Sequence, residues 1–455
     1  MSGHFDILIL GGGPAGTRAA LDAAGYGAKC ALAEPAFLGG TCMNTGCIPT
    51  KFLLGGSASI DLASAQQRYK VAGSLPVLDF AALQSRKNRF IKGLRVSLQK
   101  DLEDAGVTLL KGKGRFTGPQ SARIGTGEDG EVTFGKCIAA TGSTPAFFPT
   151  MKADGAKILS SAGVLGLEKV PASMIIVGGG PIGLELGEIF HRFGCRVTLV
   201  EGMPRLLPAE DEEVSATVEA HFRSEGWVIH TGRRIASLTA RNDRAVLLFD
   251  DGEEAEAERA LIAAGRRPAS ADLSVETAGI KLGERGFAVC DDSLRCSEHI
   301  YAAGDLNGRA MLSHAATHQA RYAAAHATGK IRDPYASPPV PACVYGSLEV
   351  MRVGPTLAEL KKKGDDIGVS RVPLASNPIA QSLGHTRGCV RMLWEGDELR
   401  GISAVGGGVS HLVTAAALLL ERGVKKNLPL PVLFAHPTLD EILESAITAP
   451  KENVA

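Results

Sequence analysis

Asp6-Ile7-Leu8-Ile9-Leu10-Gly11-Gly12-Gly13-Pro14-Ala15-Gly16 runs from a short apolar segment into a glycine-rich turn, and residues 17–25 continue with helical character. A second apolar run, residues 29–33, ends in Glu34. A lone G-x-G-x-x-G is a weak signal. A strand before it, a helix after it and an acid on the next strand turn it into a dinucleotide loop. Gly11, Gly13, Pro14, Ala15 and Gly16 would let the backbone approach a pyrophosphate at the positive end of the helix, and Glu34 would accept hydrogen bonds from a ribose.

The pattern returns. Met174-Ile175-Ile176-Val177 leads into Gly178-Gly179-Gly180-Pro181-Ile182-Gly183, then a helix over 184–193 and a strand over 196–200 ending in Glu201. In both copies the acid lies 18 positions after the last glycine of the loop. Gly178, Gly180, Ile182, Gly183 and Glu201 therefore make a second nucleotide site. An acid at Glu201 favours a free 2′-hydroxyl, hence NAD over NADP, with Arg205 nearby as the residue that could reach a 2′-phosphate. The repeat predicts an α/β fold with two doubly wound, Rossmann-like dinucleotide-binding domains.

Soon after the first loop comes Gly39-Gly40-Thr41-Cys42-Met43-Asn44-Thr45-Gly46-Cys47-Ile48-Pro49-Thr50-Lys51. Cysteines separated by four residues can meet within one or two helical turns, inside the Cα limit of about 7 Å for a disulfide. A disulfide set against a bound cofactor can accept its electrons and pass them on by thiol exchange. The other cysteines, Cys30, Cys137, Cys195, Cys290, Cys296, Cys343 and Cys389, have no comparable setting and read as buried or incidental thiols.

A second chemical candidate is Phe434-Ala435-His436-Pro437-Thr438-Leu439-Asp440-Glu441. A histidine near a dithiol can take and return the proton that thiol exchange requires. Spacing leaves Glu441 two readings of equal weight. It holds the histidine's other nitrogen, or it completes a capping box opened by Thr438. His314 and His318, close in sequence to Asp305, are further candidates for lining the first cofactor.

The totals bound the rest. The 455 residues are too many for one core. The 49 basic and 49 acidic residues cancel, which favours neither nucleic acid nor an anionic membrane. Nine scattered cysteines suggest a reducing compartment. The apolar run follows Met1-Ser2-Gly3-His4 with no basic region, and no apolar stretch reaches the ~18 residues of a membrane span. A soluble cytoplasmic protein is expected. Residues 57–105 read as helical, 109–140 as a small sheet, and 337–341 as a proline-rich hinge. The last part carries strands over 343–353 and 388–394 and a helix over about 410–422, stopped by Gly423. Lys361-Lys362-Lys363-Gly364-Asp365-Asp366 reads as a solvated loop.

Together the cysteine motif, both glycine loops, Ala140-Thr141-Gly142-Ser143, Tyr301-Ala302-Ala303-Gly304-Asp305 and His436-Pro437-Thr438 resemble the pyridine nucleotide–disulfide oxidoreductases, most closely their dihydrolipoamide dehydrogenase branch. The likeness runs through nearly the whole chain, in order. It implies an FAD-binding domain over 1–148, an NAD-binding domain over 149–268, a central segment over 269–338 completing the FAD site, and a C-terminal α+β dimerisation domain over 339–455. FAD would be held by the first loop with Gly40, Thr41, Lys51, Gly114, Thr141, Gly142, Ser143, Asp305, Leu312 and Ser313; Gly265 would join the NAD set. Cys47 would lie against the flavin and Cys42 would exchange with substrate. Lys51 would pair with Glu185, and His436, held by Glu441, would act as acid and base across a homodimer. The implied partner is a lipoylated carrier protein or free dihydrolipoamide. Alternatives are a related FAD-dependent disulfide or mercuric reductase using NAD(P)H, or a non-catalytic flavoprotein scaffold. Pro181, Val344-Tyr345-Gly346-Ser347-Leu348-Glu349-Val350, which lacks the threonine and proline expected after the tyrosine, and residues 404–411 depart from the family's usual runs, which leaves room for a specialised lipoylated partner.

Overall fold

A computed structural model describes residues 3–71, 73–126, 130–363, 366–430 and 432–453. The chain forms two compact units, one from 1–50, 84–146 and 265–337, the other from 51–83, 147–264 and 338–455.

The first unit is built on the strand Gly3–Leu10, which pairs in parallel with Cys30–Glu34 on one side and Glu131–Ala139 on the other. Parallel neighbours need a crossover, and the helix Pro14–Gly25 supplies it. Pro14 opens that helix, where a missing N–H costs nothing. Gly16 cannot be replaced, since a Cβ there would sit 1.7 Å from the Gly11 carbonyl oxygen. One face of the helix, Ala19, Ala20 and Ala23, shares a buried cluster with Ala316, Ala320, Ala323 and Ala324 of the helix Ser313–Ala327. Small side chains let these two helices approach closely, which fixes where Leu312 and Ser313 lie at the second helix's start.

The stretch expected to form a separate small sheet does not. Thr108–Lys111 extends the parallel sheet beside Cys30–Glu34, while Gly114–Gly118 and Ser121–Ile124 form a hairpin on the near end of Glu131–Ala139. The far end of that same strand pairs instead with Ile300–Ala302. On its edge away from Gly3–Leu10, one long strand thus serves two partners, a division its alternating pattern cannot reveal. Ser143–Pro145 pairs antiparallel with Arg266–Pro268 in the same unit.

The second unit repeats the theme with Ser173–Val177, the helix Pro181–Arg192 and Arg196–Glu201, in a five-stranded parallel sheet. Here Gly183 plays the part of Gly16, its notional Cβ 2.0 Å from the Gly178 oxygen. The same unit holds a three-stranded antiparallel sheet and a six-stranded antiparallel one. In the six-stranded sheet, the expected single strand over 343–353 is two strands, Ala342–Val344 and Glu349–Val353, parted by a turn at Gly346. The expected helix over 410–422 begins as a single tight 3-10 turn, Val409–Leu412, and becomes α-helical at Val413–Glu421; Gly423 then takes φ 60°. Lys361 closes a short helix, Leu357–Lys361, rather than opening a loop, and Gly364 and Asp365 lie outside the described residues. No helix among the described residues is long and apolar enough to cross a membrane.

Trp394 is fully buried in this unit and donates to Ser370, which donates to the Ala446 carbonyl, so these two buried donors are satisfied in series. Arg391 is also buried, with Nη1 donating to Asp211 at 2.8 Å and Nε 3.0 Å from Glu213. Replacing Arg391 by Met leaves Asp211 charged and uncompensated in a dry interior. The expected cost is about 3–5 kcal/mol, read as a lowered denaturation midpoint of the purified protein.

Candidate active site

Both glycine loops are arranged alike. In the first unit Glu34 accepts the Gly12 N–H on one oxygen at 2.8 Å and the Ala36 N–H on the other at 2.9 Å. In the second, Glu201 accepts from Gly179 at 2.7 Å and from Met203 at 2.8 Å. Each carboxylate is therefore aimed at its own loop and still has lone pairs for the hydroxyls of a ribose. Neither following helix has a side-chain cap at its start, so the first N–H groups are available to a phosphate. The turns are open where a phosphate would pass. A Cβ on Gly13 would come no nearer than 3.9 Å to Gly40 Cα, and one on Gly180 would meet nothing within 4 Å. These residues fit two dinucleotides.

The cysteine segment docks on the first loop. Gly39 donates its N–H to the Gly12 carbonyl at 2.7 Å, and Gly40 comes so close to Gly13 that a Cβ would lie 2.6 Å from its Cα. Both glycines have positive φ, which permits this approach. The cysteines do not share a helix. Cys42 lies half-buried in Gly40–Thr45, Gly46 breaks the chain, and Cys47 is the exposed first residue of Cys47–Ser57. The start of an α-helix favours a thiolate over a thiol; Cys47 is the first residue of its helix and Cys42 the third of its own, so both sulfurs lie in a first turn.

A residue that sequence reading missed stands in the same unit. Arg266 donates from Nε to the Ser143 hydroxyl and from Nη2 to its carbonyl, both at 2.7 Å, while Ser143 also donates to Asp305. Burial pushes the Arg266 guanidinium down, and the charges of Asp305 and Cys47 act against it. Arg266 and Arg267 are adjacent in sequence, and only the pairing with residues 143–145 decides which one turns towards Ser143. Thr141 donates to the Ala269 carbonyl at 3.0 Å, and Gly142 takes a positive φ. Gly114 packs on Leu10, where a Cβ would meet Cδ2 at 2.5 Å. Gly265, expected with NAD, lies in this first unit and accepts the Ala146 N–H. His318 is engaged by the Tyr335 hydroxyl at 3.0 Å.

In the second unit Lys51 donates to Glu185 at 2.6 Å, as expected, and lies over the ring of Tyr345, 4.5 Å from its centre. The Tyr345 N–H donates to the other Glu185 oxygen at 3.2 Å. Burial pushes the Glu185 carboxyl above its ordinary range, with Lys51 opposing. The departure at Gly346 has a steric reason. Its φ is 152° and a Cβ would lie 2.0 Å from a Glu188 oxygen, while the next N–H, of Ser347, donates to Glu188 at 2.6 Å.

Glu441 fulfils the first of its two readings. One oxygen pairs with His436 Nδ1 at 2.8 Å and the other accepts the Thr438 N–H at 2.8 Å. No capping box forms, because the helix starts at Glu441 itself and the Thr438 hydroxyl donates to Ala435 instead. The Glu441 carboxyl is held below its ordinary range, first by the Thr438 N–H and then by His436. With Nδ1 engaged, the exposed ring offers Nε2 to a reactant.

Known proteins were compared with this chain. The pattern of the pyridine nucleotide-disulphide oxidoreductases matches residues 5–320, and that of their dimerisation domain matches 340–447. The chain is 34% identical to a dihydrolipoyl dehydrogenase of Chlorobaculum tepidum over 98% of its length and 97% of the relative's. It is 32% identical to one of Bacillus subtilis over 97% of each. Among solved structures it is similar to LpdA from Mycobacterium tuberculosis, with a TM-score of 0.88, 26% identity and 98% and 99% of the two chains covered. It is likewise similar to the HOCl-induced flavoprotein disulfide reductase RclA from Escherichia coli, with a TM-score of 0.86 and 27% identity, over 97% and 99%.

The Lys51–Glu185 pair can be tested without any reaction. Lys51→Met strands a buried carboxylate and is expected to cost about 3 kcal/mol, whereas adding Glu185→Leu restores most of the loss. Thermal melts of the two variants should differ in that order.

Proposed function

The chain belongs to the pyridine nucleotide-disulphide oxidoreductases, and we propose that it oxidises the dihydrolipoyl dithiol with NAD as a dihydrolipoamide dehydrogenase. It is an enzyme that uses FAD and NAD, and it carries the family's dimerisation domain. The observation that carries the reading is the docking of the Cys42–Cys47 segment on the first glycine loop, through Gly39 N–H to the Gly12 carbonyl. That contact sets two thiols beside a dinucleotide cradle.

In the proposed reaction a dihydrolipoyl thiolate attacks Cys42 Sγ of the oxidised Cys42–Cys47 pair, and the S–S bond breaks with Cys47 leaving as thiolate. The helix start and the cationic Arg266 favour that leaving group. His436 Nε2 takes the proton of the second dihydrolipoyl thiol. Its sulfur then attacks the lipoyl sulfur of the mixed disulfide, and Cys42 departs and receives the proton from His436. Glu441, bonded to Nδ1, orients the imidazole so that Nε2 faces the reactant. Bound FAD supplies the two-electron relay that lets a dithiol couple reduce NAD by hydride. In the first unit Ser143, Asp305 and Arg266 orient one another by hydrogen bonds and charge, and the family likeness gives Lys51, paired with Glu185, to the flavin. The division at 148, 268 and 338 separates FAD-binding, NAD-binding, central and dimerisation parts on this reading. The partner is a lipoylated carrier protein, with free dihydrolipoamide as its small surrogate, in the cytoplasm.

Steady-state turnover of FAD-loaded protein with free dihydrolipoamide should be fast with NAD and weak with NADP. Absence of thiol-dependent turnover, while NADH still reduces the flavin, would reassign the substrate to a different disulfide. His436→Ala should lower turnover by ~10²–10⁴, the usual worth of acid–base catalysis. A loss of only a few-fold would remove His436 from that role.

A further inference from the structure

Cys290 and Cys296, which read in the sequence as buried or incidental thiols, lie six positions apart. The fold brings their sulfurs to 3.0 Å. That is about 1 Å beyond the length of an S–S bond, which is about 2.05 Å. We propose that Cys290 and Cys296 form a second, reversible dithiol–disulfide site, oxidised by small hydroperoxides and separate from Cys42 and Cys47.

The turn between them holds the two ends in place. Asp291 donates its N–H to the Arg295 carbonyl at 2.9 Å, and its carboxylate accepts the N–H groups of Ser293 and Arg295. Leu294 is fully buried, and its carbonyl accepts the Ala302 N–H. Cys296 donates its own N–H to the Ile300 carbonyl at 2.8 Å. Little chain entropy remains to be lost when the bond closes, because the backbone already brings the thiols together. Both cysteines are half-buried, a setting that suits a small oxidant better than a protein thiol. Cys30, Cys137 and Cys195 differ, since each is buried and its thiol is pushed up by that burial.

The two sulfurs also divide the chemistry. Either sulfur can donate the hydrogen they share, and the Arg309 guanidinium, anchored on the Asp291 carbonyl, decides for Cys296 as donor, which holds Cys290 below the ordinary thiol range. Cys296, donating that bond and more deeply packed, is pushed up. Cys290 is then the attacking thiolate and Cys296 the resolving thiol. Cys290 Sγ attacks a peroxide oxygen, the O–O bond breaks, the alcohol leaves with a proton, and a sulfenic acid remains. Cys296 Sγ attacks that sulfur, the S–O bond breaks, and water leaves as the disulfide forms. Two thiols lose two electrons and two protons, and the hydroperoxide becomes alcohol and water. A dithiol reverses the step by exchange. The bridge would clasp the turn that leads into Ile300–Ala302 and on to Asp305, with Arg309 donating to the Asp291 carbonyl across the same turn.

The sequence provides its own assay. Trypsin cuts after Arg285, Arg295 and Arg309, so peptides 286–295 and 296–309 separate unless the bridge joins them. FAD-loaded protein is treated with cumene hydroperoxide, blocked with iodoacetamide and digested without reductant. The expected product is the joined pair, lighter by two hydrogens than its parts and released by dithiothreitol. In a Cys296→Ser variant the joined pair is lost and Cys290 is trapped as a sulfenic acid by dimedone. Recovery of both wild-type peptides alkylated, or of Cys290 as sulfinate beside an intact Cys296 thiol, would overturn the proposal. The outcome does not depend on which substrate the enzyme oxidises.

Discussion

Everything in this molecule depends on backbone meeting backbone at two glycine loops. Gly16 presses its Cα against the Gly11 carbonyl, and Gly183 does the same at Gly178, where a single methyl group would collide at 1.7 and 2.0 Å. That closeness lets a helix rise directly from the end of a strand and present its N–H groups where a phosphate belongs. It also exposes the Gly12 carbonyl and the Gly13 Cα on which Gly39 and Gly40 dock. The Cys42–Cys47 segment inherits its position from the glycine loop, so on the proposed reading cofactor binding and thiol chemistry share one steric origin.

The second theme is buried charge, each time with a partner. Glu185 has Lys51 and a backbone N–H, and Arg391 has Asp211 and Glu213. Arg266 is held by Ser143 and Asp305. Taking such groups out of water is costly unless the partner is already in place, so these contacts define single arrangements. Gly346 belongs to the same account. What looks like a departure from a family motif is the space that Glu188 occupies.

The functional reading rests on how these parts are matched to thiol exchange. Cys47 has a helix start and a nearby cation to favour its thiolate, while His436 has Glu441 to fix its ring and leave Nε2 open. The Cys290–Cys296 turn carries a different pairing, in which a backbone turn rather than a nucleotide loop sets the distance between sulfurs.

What the sequence determined by itself were features carried by local spacing. These include both strand–loop–helix units with Glu34 and Glu201, the cysteine motif, the histidine with its acid, and the Lys51–Glu185 pair through family likeness. Such features survive in a string because a glycine, a cysteine or an acid is required at a fixed offset along one chain. The tertiary structure alone decided the rest. It merged 109–140 into the first sheet, split one edge of the Glu131–Ala139 strand between two partners, chose Arg266 over Arg267, and settled Glu441 between its two readings. It also closed Cys290 on Cys296. Each of these depends on which distant segments pack together, and no local period or offset encodes that choice.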